Sequence, residues 1–324
     1  MSIDNDRRTY APAAALAEAT RVAGFAPSLL NTQPWRWYVD GATLELYADP
    51  IRQLTGSDPG SRLLVLSCGA ALHHARIALA AQGLHSAVER LAGLDRPRLL
   101  ARLTVSGRST PDPGAVRLMD TMQIRRADRL PMKGAVVDRS CLDMVRTAIE
   151  AEQSSLCVLP ADGLLDLVLA GGANRLAEFD PRRRDTGHEA GDLPADDRGA
   201  IDAILFGSAD TPSAWLYAGE ALSAGWLTAT ELGVRVLPMF AVAEVDSTRQ
   251  ILRRRLPPLS EPFLVLRFGV VDPVPPSPDR HREAGVTAWT SPSPARDAAG
   301  AIARPVAPPA TVGAHRAEKL APVK

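Results

Sequence analysis

Two prolines, a serine, an asparagine and a closing tryptophan stand together in Ala26-Pro27-Ser28-Leu29-Leu30-Asn31-Thr32-Gln33-Pro34-Trp35. The prolines stiffen the segment, so it can present the Ser28 hydroxyl and the Asn31 amide to a planar heterocycle. The same residues would also serve merely to turn the chain into a hairpin, and on these residues alone that reading stays open. Basic residues gather in Gln123-Ile124-Arg125-Arg126-Ala127-Asp128-Arg129 and in Arg280-His281-Arg282. Only three of the 37 basic residues are lysines, so any single arginine is a solvated surface charge by default. The runs Arg182 to Arg184 and Arg253 to Arg255 read that way. There is no GxGxxG after a strand, no GxxxxGK, no GxSxG and no HExxH. The adjacent His73 and His74 would point about 100° apart on a helix and cannot share a metal ion. Neither a catalytic residue nor a metal ligand is assigned.

The elements that must hold these residues are marked on either side. Arg36 to Val39 and Thr43 to Tyr47 are β-prone and flank Asp40-Gly41, a hairpin signal whose turn positions need positive φ. Downstream, Asp58-Pro59 reads as N-cap and first helical residue, Leu63 to Ala81 as a helix buried on most faces, and Gly83 as its stop. The device returns in the second half: Thr211-Pro212 opens, Trp215 to Thr230 is largely apolar, and Gly233 closes. Gly69-Ala70-Ala71-Leu72 with Gly83-Leu84, and Gly219-Glu220-Ala221-Leu222 with Gly233-Val234, share one spacing at an offset of 150 residues. That is the mark of an internal repeat. Extended segments at Leu99 to Val105, Leu156 to Leu159, Ala200 to Phe206 and Phe263 to Val271 interleave with these helices. The expected class is α+β with two similar halves.

Composition narrows the function. The 324 residues are 46% hydrophobic and 23% charged, ordinary globular usage, and suffice for one large or two average domains. Lysine plus arginine and aspartate plus glutamate both number 37, so no net field gathers nucleic acid or an anionic membrane. Cys68, Cys141 and Cys157 are too few and too scattered for a disulfide framework, which suits reduced thiols in a cytoplasm. The longest uncharged run, Val22 to Trp35, is 14 residues, short of the roughly 20 a bilayer span needs. The N-terminus lacks the apolar stretch of a secretory signal. Residues 272–324 hold 10 of the 27 prolines, and from Thr290 the chain reads as a disordered extension. Between Asp180 and Arg198, 10 of 19 residues are charged, a composition for a solvated loop or a lid.

The pattern Pro-Ser-x-x-Asn-x-Gln-Pro-Trp resembles the loop of the nitroreductase superfamily, FMN-dependent enzymes whose subunits pair so that each flavin lies at the dimer interface. Arg125 to Arg129 looks like that family's Arg-x-Ser-x-Lys/Arg signature, with Ala127 in place of the usual Ser or Thr, and Arg280-His281-Arg282 resembles its C-terminal basic-x-basic pair. Duplication, length and the Gly-Glu-Ala-Leu block further resemble the tandem Acg-like branch, over residues 10 to about 285. In the family one subunit supplies the basic residues and its partner the loop. Here the loop is in the first half and the basic signature in the second. Their complements are missing, since Ala148 to Pro160 has no Pro-Ser-x-x-Asn and Arg7-Arg8-Thr9-Tyr10-Ala11 lacks the last basic residue.

The resemblance therefore implies a nitroreductase-like pseudo-dimer: residues 1–115 as one half, 116–289 as the other, 290–324 as the tail, and one FMN per chain. It implies phosphate binding by Arg125 and Arg282, with Arg280 in support, because arginine forks take such oxygens bidentately. Arg129 matches the base beside flavin N1 and O2, where negative charge gathers on reduction. Ser28 and Asn31 correspond to ring or ribityl contacts, and the backbone of Leu237, Pro238 and Met239 to the segment near N5. The implied activity is an NAD(P)H-dependent oxidoreductase passing hydride through N5 to a small-molecule acceptor such as a nitroaromatic or quinone. The alternative is an FMN-binding protein that sequesters flavin under stress with little turnover, with residues 180–211 closing over it. A monomer suffices for either, and a homodimer is compatible with both.

Overall fold

A computed structural model of the chain describes residues 12–91, 96, 98–125, 132, 135–160, 199–240, 242–270 and 288–289. Arg129, Arg280, Arg282, Arg182 to Arg184, most of the 180–211 segment and the 290–324 tail lie outside the described residues.

The first half runs α1 (Pro12–Ala23), β1 (Trp35–Asp40), β2 (Thr43–Ala48), α2 (Arg62–Ala81), β3 (Leu84–Arg90) and β4 (Leu99–Arg108), after which α3 (Pro113–Ile124) leads into the second half. The second runs α4 (Arg139–Ala151), β5 (Ser155–Val158), β6 (Ile201–Gly207), α5 (Pro212–Glu231), β7 (Arg235–Met239), α6 (Asp246–Arg254) and β8 (Glu261–Gly269). One sheet has the order β3-β4-β2-β1 and the other β7-β8-β6-β5, every neighbouring pair antiparallel. Strands thus occupy the same places in the same chain order in both sheets. A last strand, β9 (Ala288–Trp289), returns from the second half and pairs parallel with β1 on the edge of the first sheet, Trp37 opposite Ala288. Helix α3 crosses the expected boundary at residue 115 and packs on both central helices.

Local signals fix the ends of these elements, with two shifts. The hairpin turn is Gly41-Ala42, because Asp40 pairs with Thr43 as the last residue of β1; Gly41 takes the positive φ, 58°. Helix α2 begins at Arg62, not Pro59, yet Asp58 still caps it, its carboxylate accepting from the Leu63 and Leu64 amides at 3.1 and 2.8 Å. Thr211 caps α5 directly through the Ala214 amide, and Gly83 and Gly233 end α2 and α5 at φ 69° and 72°. By length and composition α2 could cross a membrane, but it is buried inside the fold, as its lack of a polar face requires.

The two sheets are joined by α2 and α5, each 20 residues long, which pack against one another at the centre of the core. Their approach depends on two glycines. A Cβ on Gly69 would collide with the Leu216 carbonyl, and one on Gly219 with the Leu66 carbonyl. The contacts are reciprocal, residue 69 on 216 and residue 66 on 219, as in an isologous interface. On the line between them His73 Nδ1 meets Ser223 Oγ at 2.9 Å, residues 150 apart. Burial, with the nearby Arg76 charge, pushes the His73 imidazole down to about 3, and burial drives that of His74 well below its ordinary range.

Two outcomes follow from this seam. Backbone cannot step aside as a flexible side chain can, so Gly219→Ala lowers unfolding free energy by about 1–3 kcal/mol or more, measured by urea denaturation. Gly56→Ala, where a Cβ meets nothing within 4 Å, serves as the neutral control. Because His73 protonates at 6.5 when unfolded but only near 3 when folded, its stabilising effect is full above pH 6.5 and is lost as pH falls. At pH 5 the loss is about 2 kcal/mol for His73, so His73→Gln flattens the fall in stability between pH 7 and 5; an unchanged slope would refute the assignment.

Candidate functional site

Between α1 and β1, residues 24–34 form the loop singled out from sequence. Its backbone is unusual: Leu30, Asn31 and Gln33 have φ of 48°, 55° and 48°. A left-handed backbone costs an L-residue about 1–2 kcal/mol, and clusters of such residues mark sites held in shape for a purpose. Asparagine tolerates that region; leucine and glutamine do so only when other contacts hold them.

Those contacts are present. The Gln33 amide donates to Ser28 Oγ at 3.0 Å, and its side-chain Nε2 donates to the Gly24 carbonyl at 2.9 Å, closing the loop on itself. Leu29 N–H reaches Ser67 Oγ on α2 at 3.4 Å, while that hydroxyl donates to the Leu63 carbonyl at 2.7 Å. The Cys68 thiol, kept protonated by complete burial, faces the Pro34 carbonyl at 3.2 Å. From the far side Arg52 donates to the Gln33 carbonyl at 3.0 Å, which also accepts from Trp35 N–H at 2.9 Å. Leu30 and Asn31 are left exposed at the tip.

The second half meets this loop through Arg125. It stands at the C-terminal end of α3 and is only 8% exposed. Its Nη2 donates to the Phe25 carbonyl at 2.9 Å, and its guanidinium lies 4.5 Å from the Trp226 ring centroid on α5. His74 of α2 lies near enough for the Arg125 charge to reinforce its neutrality. Arg125 therefore meets the base of the loop that carries Ser28 and Asn31. Leu237, Pro238 and Met239 form edge strand β7, where a proline is tolerated, opposite Arg267, Leu266 and Val265 of β8. Among the described residues no hydrogen bond or ion pair joins them to the loop.

The matching position on the other side of the seam is built differently. Between α4 and β5 only residues 152–154 connect the elements. Glu220, fully buried on α5, is held in a fork by Arg90 at 2.6 and 2.9 Å and again by Arg76 of α2. Arg76 also pairs with Glu152 at 2.7 Å, whose other oxygen is 3.7 Å from His73. Arg76 stands 150 residues before Trp226, so an arginine tied to the buried Glu220 and the partly buried Glu152 replaces the indole that meets Arg125. Sequence reading missed this cluster and the Arg52 contact. Glu220 was visible only as part of the Gly-Glu-Ala-Leu block, whose spacing carries no signal that the charge is buried.

Comparison with known proteins gives the chain its relatives. A Mycobacterium tuberculosis protein named "Putative NAD(P)H nitroreductase Rv3131" is 34% identical over 298 residues, covering 79% of this chain and 86% of that one. A second from that organism, bearing the same description with the name acg, is 34% identical over 155 residues, 48% of this chain and 47% of its own. Among solved structures, one from Anabaena variabilis, named "a putative nitroreductase", has a TM-score of 0.48 at 11% identity, covering 79% of this chain and 88% of that one. A Bacteroides fragilis nitroreductase with bound FMN has a TM-score of 0.42 at 15% identity, with 53% and 98% covered. No protein-family model matches the chain. On the strength of the first relationship, which spans most of both sequences, the chain belongs to the nitroreductase superfamily, alongside its Acg-like members.

Proposed function

We propose that the chain is an FMN-dependent oxidoreductase in which two similar halves stand in for the two subunits of a nitroreductase dimer. The observation that carries this reading is the junction of the strained 24–34 loop with Arg125, a first-half recognition loop meeting the head of a second-half basic segment. The donor set suits the ligand. An exposed Asn31 amide and the Ser28 hydroxyl match the imide edge and ribityl hydroxyls of a flavin, and Arg125, Arg280 and Arg282 match its phosphate. Arg129 would sit by N1 and O2, and the backbone of Leu237 to Met239 near N5. Bound FMN would supply two-electron chemistry, taking hydride at N5 from NAD(P)H and passing electrons to a small electron-poor acceptor.

The chain's own residues have separable tasks in this scheme. Asn31 and Ser28 orient the ring, the arginines neutralise the phosphate, and Trp226 with His74 packs the Arg125 end away from water. The single-flavin expectation is supported by the opposite junction, where the connection shortens to residues 152–154 and Arg76, Arg90, Glu152 and Glu220 neutralise one another. Matched strand orders and the 150-residue offset favour duplication as the origin of this arrangement. A monomer or a homodimer accords with the site being completed within one chain.

In an absorbance titration with FMN under anaerobic conditions, the expected result is close to one flavin bound per chain, bleached on adding NADPH. Flavin that is bound but reduced only by dithionite would replace the reductase by a flavin-holding protein, and no bound flavin would remove both. In the same titration Arg129→Ala weakens binding about 10- to 100-fold, the loss expected for one hydrogen bond to a charged group, while Arg183→Ala leaves it unchanged. Equal effects at both positions would mean that arginine abundance had been mistaken for a site.

A further inference from the structure

We infer that Arg52, outside the family-like motifs, is a positioning residue that keeps the 28–33 loop in its ligand-receiving shape; its flavin role rests on the function proposed above. Gln33, like Leu30, has no intrinsic reason to be left-handed, and its carbonyl is what Arg52 grips, through Nη1 at 3.0 Å. Nothing in residues 24–34 can replace that donor, since the other contact to this oxygen is the Trp35 amide, which belongs to β1.

Arg52 is itself held from behind. Its Nε lies 3.5 Å from Asp49 Oδ2. Asp49 is 3% exposed, and its carboxylate accepts from Arg36 Nε at 2.9 Å and from the Ile51 amide at 3.2 Å. The Asp49 amide in turn donates to the Pro34 carbonyl at 3.0 Å, so the loop's exit and the base of the clamp share one backbone contact. A fixed carboxylate thus aims a guanidinium at one carbonyl. The Arg52 side chain remains 38% exposed, which makes it a rim residue and not part of the core.

The consequence is preorganisation. A loop that spends only a fraction of its time in the binding shape has its affinity reduced by that fraction. Without Arg52 the left-handed Gln33 loses a charge-assisted hydrogen bond and relaxes, moving Asn31 and Ser28 with it, because the Gln33 amide is what Ser28 Oγ accepts. Lysine can reach the Gln33 carbonyl but cannot fork to Asp49 as well.

The test compares the full-length wild type with Arg52→Ala, Arg52→Lys and, as a charge-matched control, Arg146→Ala, whose partner Asp143 lies on the exposed face of α4. Amide hydrogen exchange is followed without flavin at Asn31, Thr32 and Gln33, and FMN affinity is then measured by titration. Expected for Arg52→Ala is exchange in the loop faster by about tenfold with α2 and α5 unchanged, together with FMN affinity weaker by about tenfold; Arg52→Lys falls between, and Arg146→Ala matches wild type. Unchanged loop exchange in Arg52→Ala overturns the clamp whether or not flavin binds. Faster exchange with FMN affinity equal to wild type overturns the positioning role and leaves the FMN reading standing. A wild type that binds no FMN overturns the proposed function and with it the flavin role of Arg52.

Discussion

Two helices can approach backbone to backbone only where neither carries a side chain at the crossing, and Gly69 of α2 and Gly219 of α5 supply that crossing. Everything else is arranged about it. The Leu66 and Leu216 carbonyls fill the space a Cβ would take, His73 and Ser223 close the polar gap one turn on, and each sheet lies on the outer side of its own helix. Because the contact is reciprocal, it creates two equivalent junctions, one on each side, at which a loop from one half can face the end of an element from the other.

Sequence has treated the two junctions in opposite ways. At one, residues 24–34 make a long strained loop and Arg125 reaches it from α3 past Trp226. At the other, the connection shrinks to residues 152–154, and two arginines and two glutamates fill the space with charge that cancels. An ion cluster built round the buried Glu220 contributes little net stability, since desolvating that charge offsets most of the attraction, but it is costly to break by halves. Its effect is to make the second junction self-satisfied. Polar groups with no need of a ligand occupy one side, and a shaped loop with an exposed asparagine occupies the other.

Much of this could be read from the residues. The offset of the central helices and the helix stops at Gly83 and Gly233 rest on short-range chemistry or spacing, whereas Ser28, Asn31 and Arg125 were singled out by family resemblance. What escaped depends on partners distant in sequence. Glu220 sits in an apolar helix with no local sign that Arg76 and Arg90 will neutralise it, from 144 and 130 residues away. Strands β3 and β7 went unnoticed because one is half polar and the other contains Pro238, which only its edge position permits. The start of α2 moved from Pro59 to Arg62 because Asp58 caps the helix from a distance, and the hairpin turn moved by one residue because Asp40 pairs. Arg52 followed Asp49-Pro50-Ile51 without any pattern linking it to Gln33.

The central claim is that a ligand site is assembled across the two halves at one junction only. A crystal structure of the chain grown with FMN tests it most directly. The account predicts one flavin, with Ser28 and Asn31 on its first-half side and Arg129, Arg280 and Arg282 on its second-half side. A flavin against Glu152 and Arg76, flavins at both junctions, or one bound within a single half would contradict it.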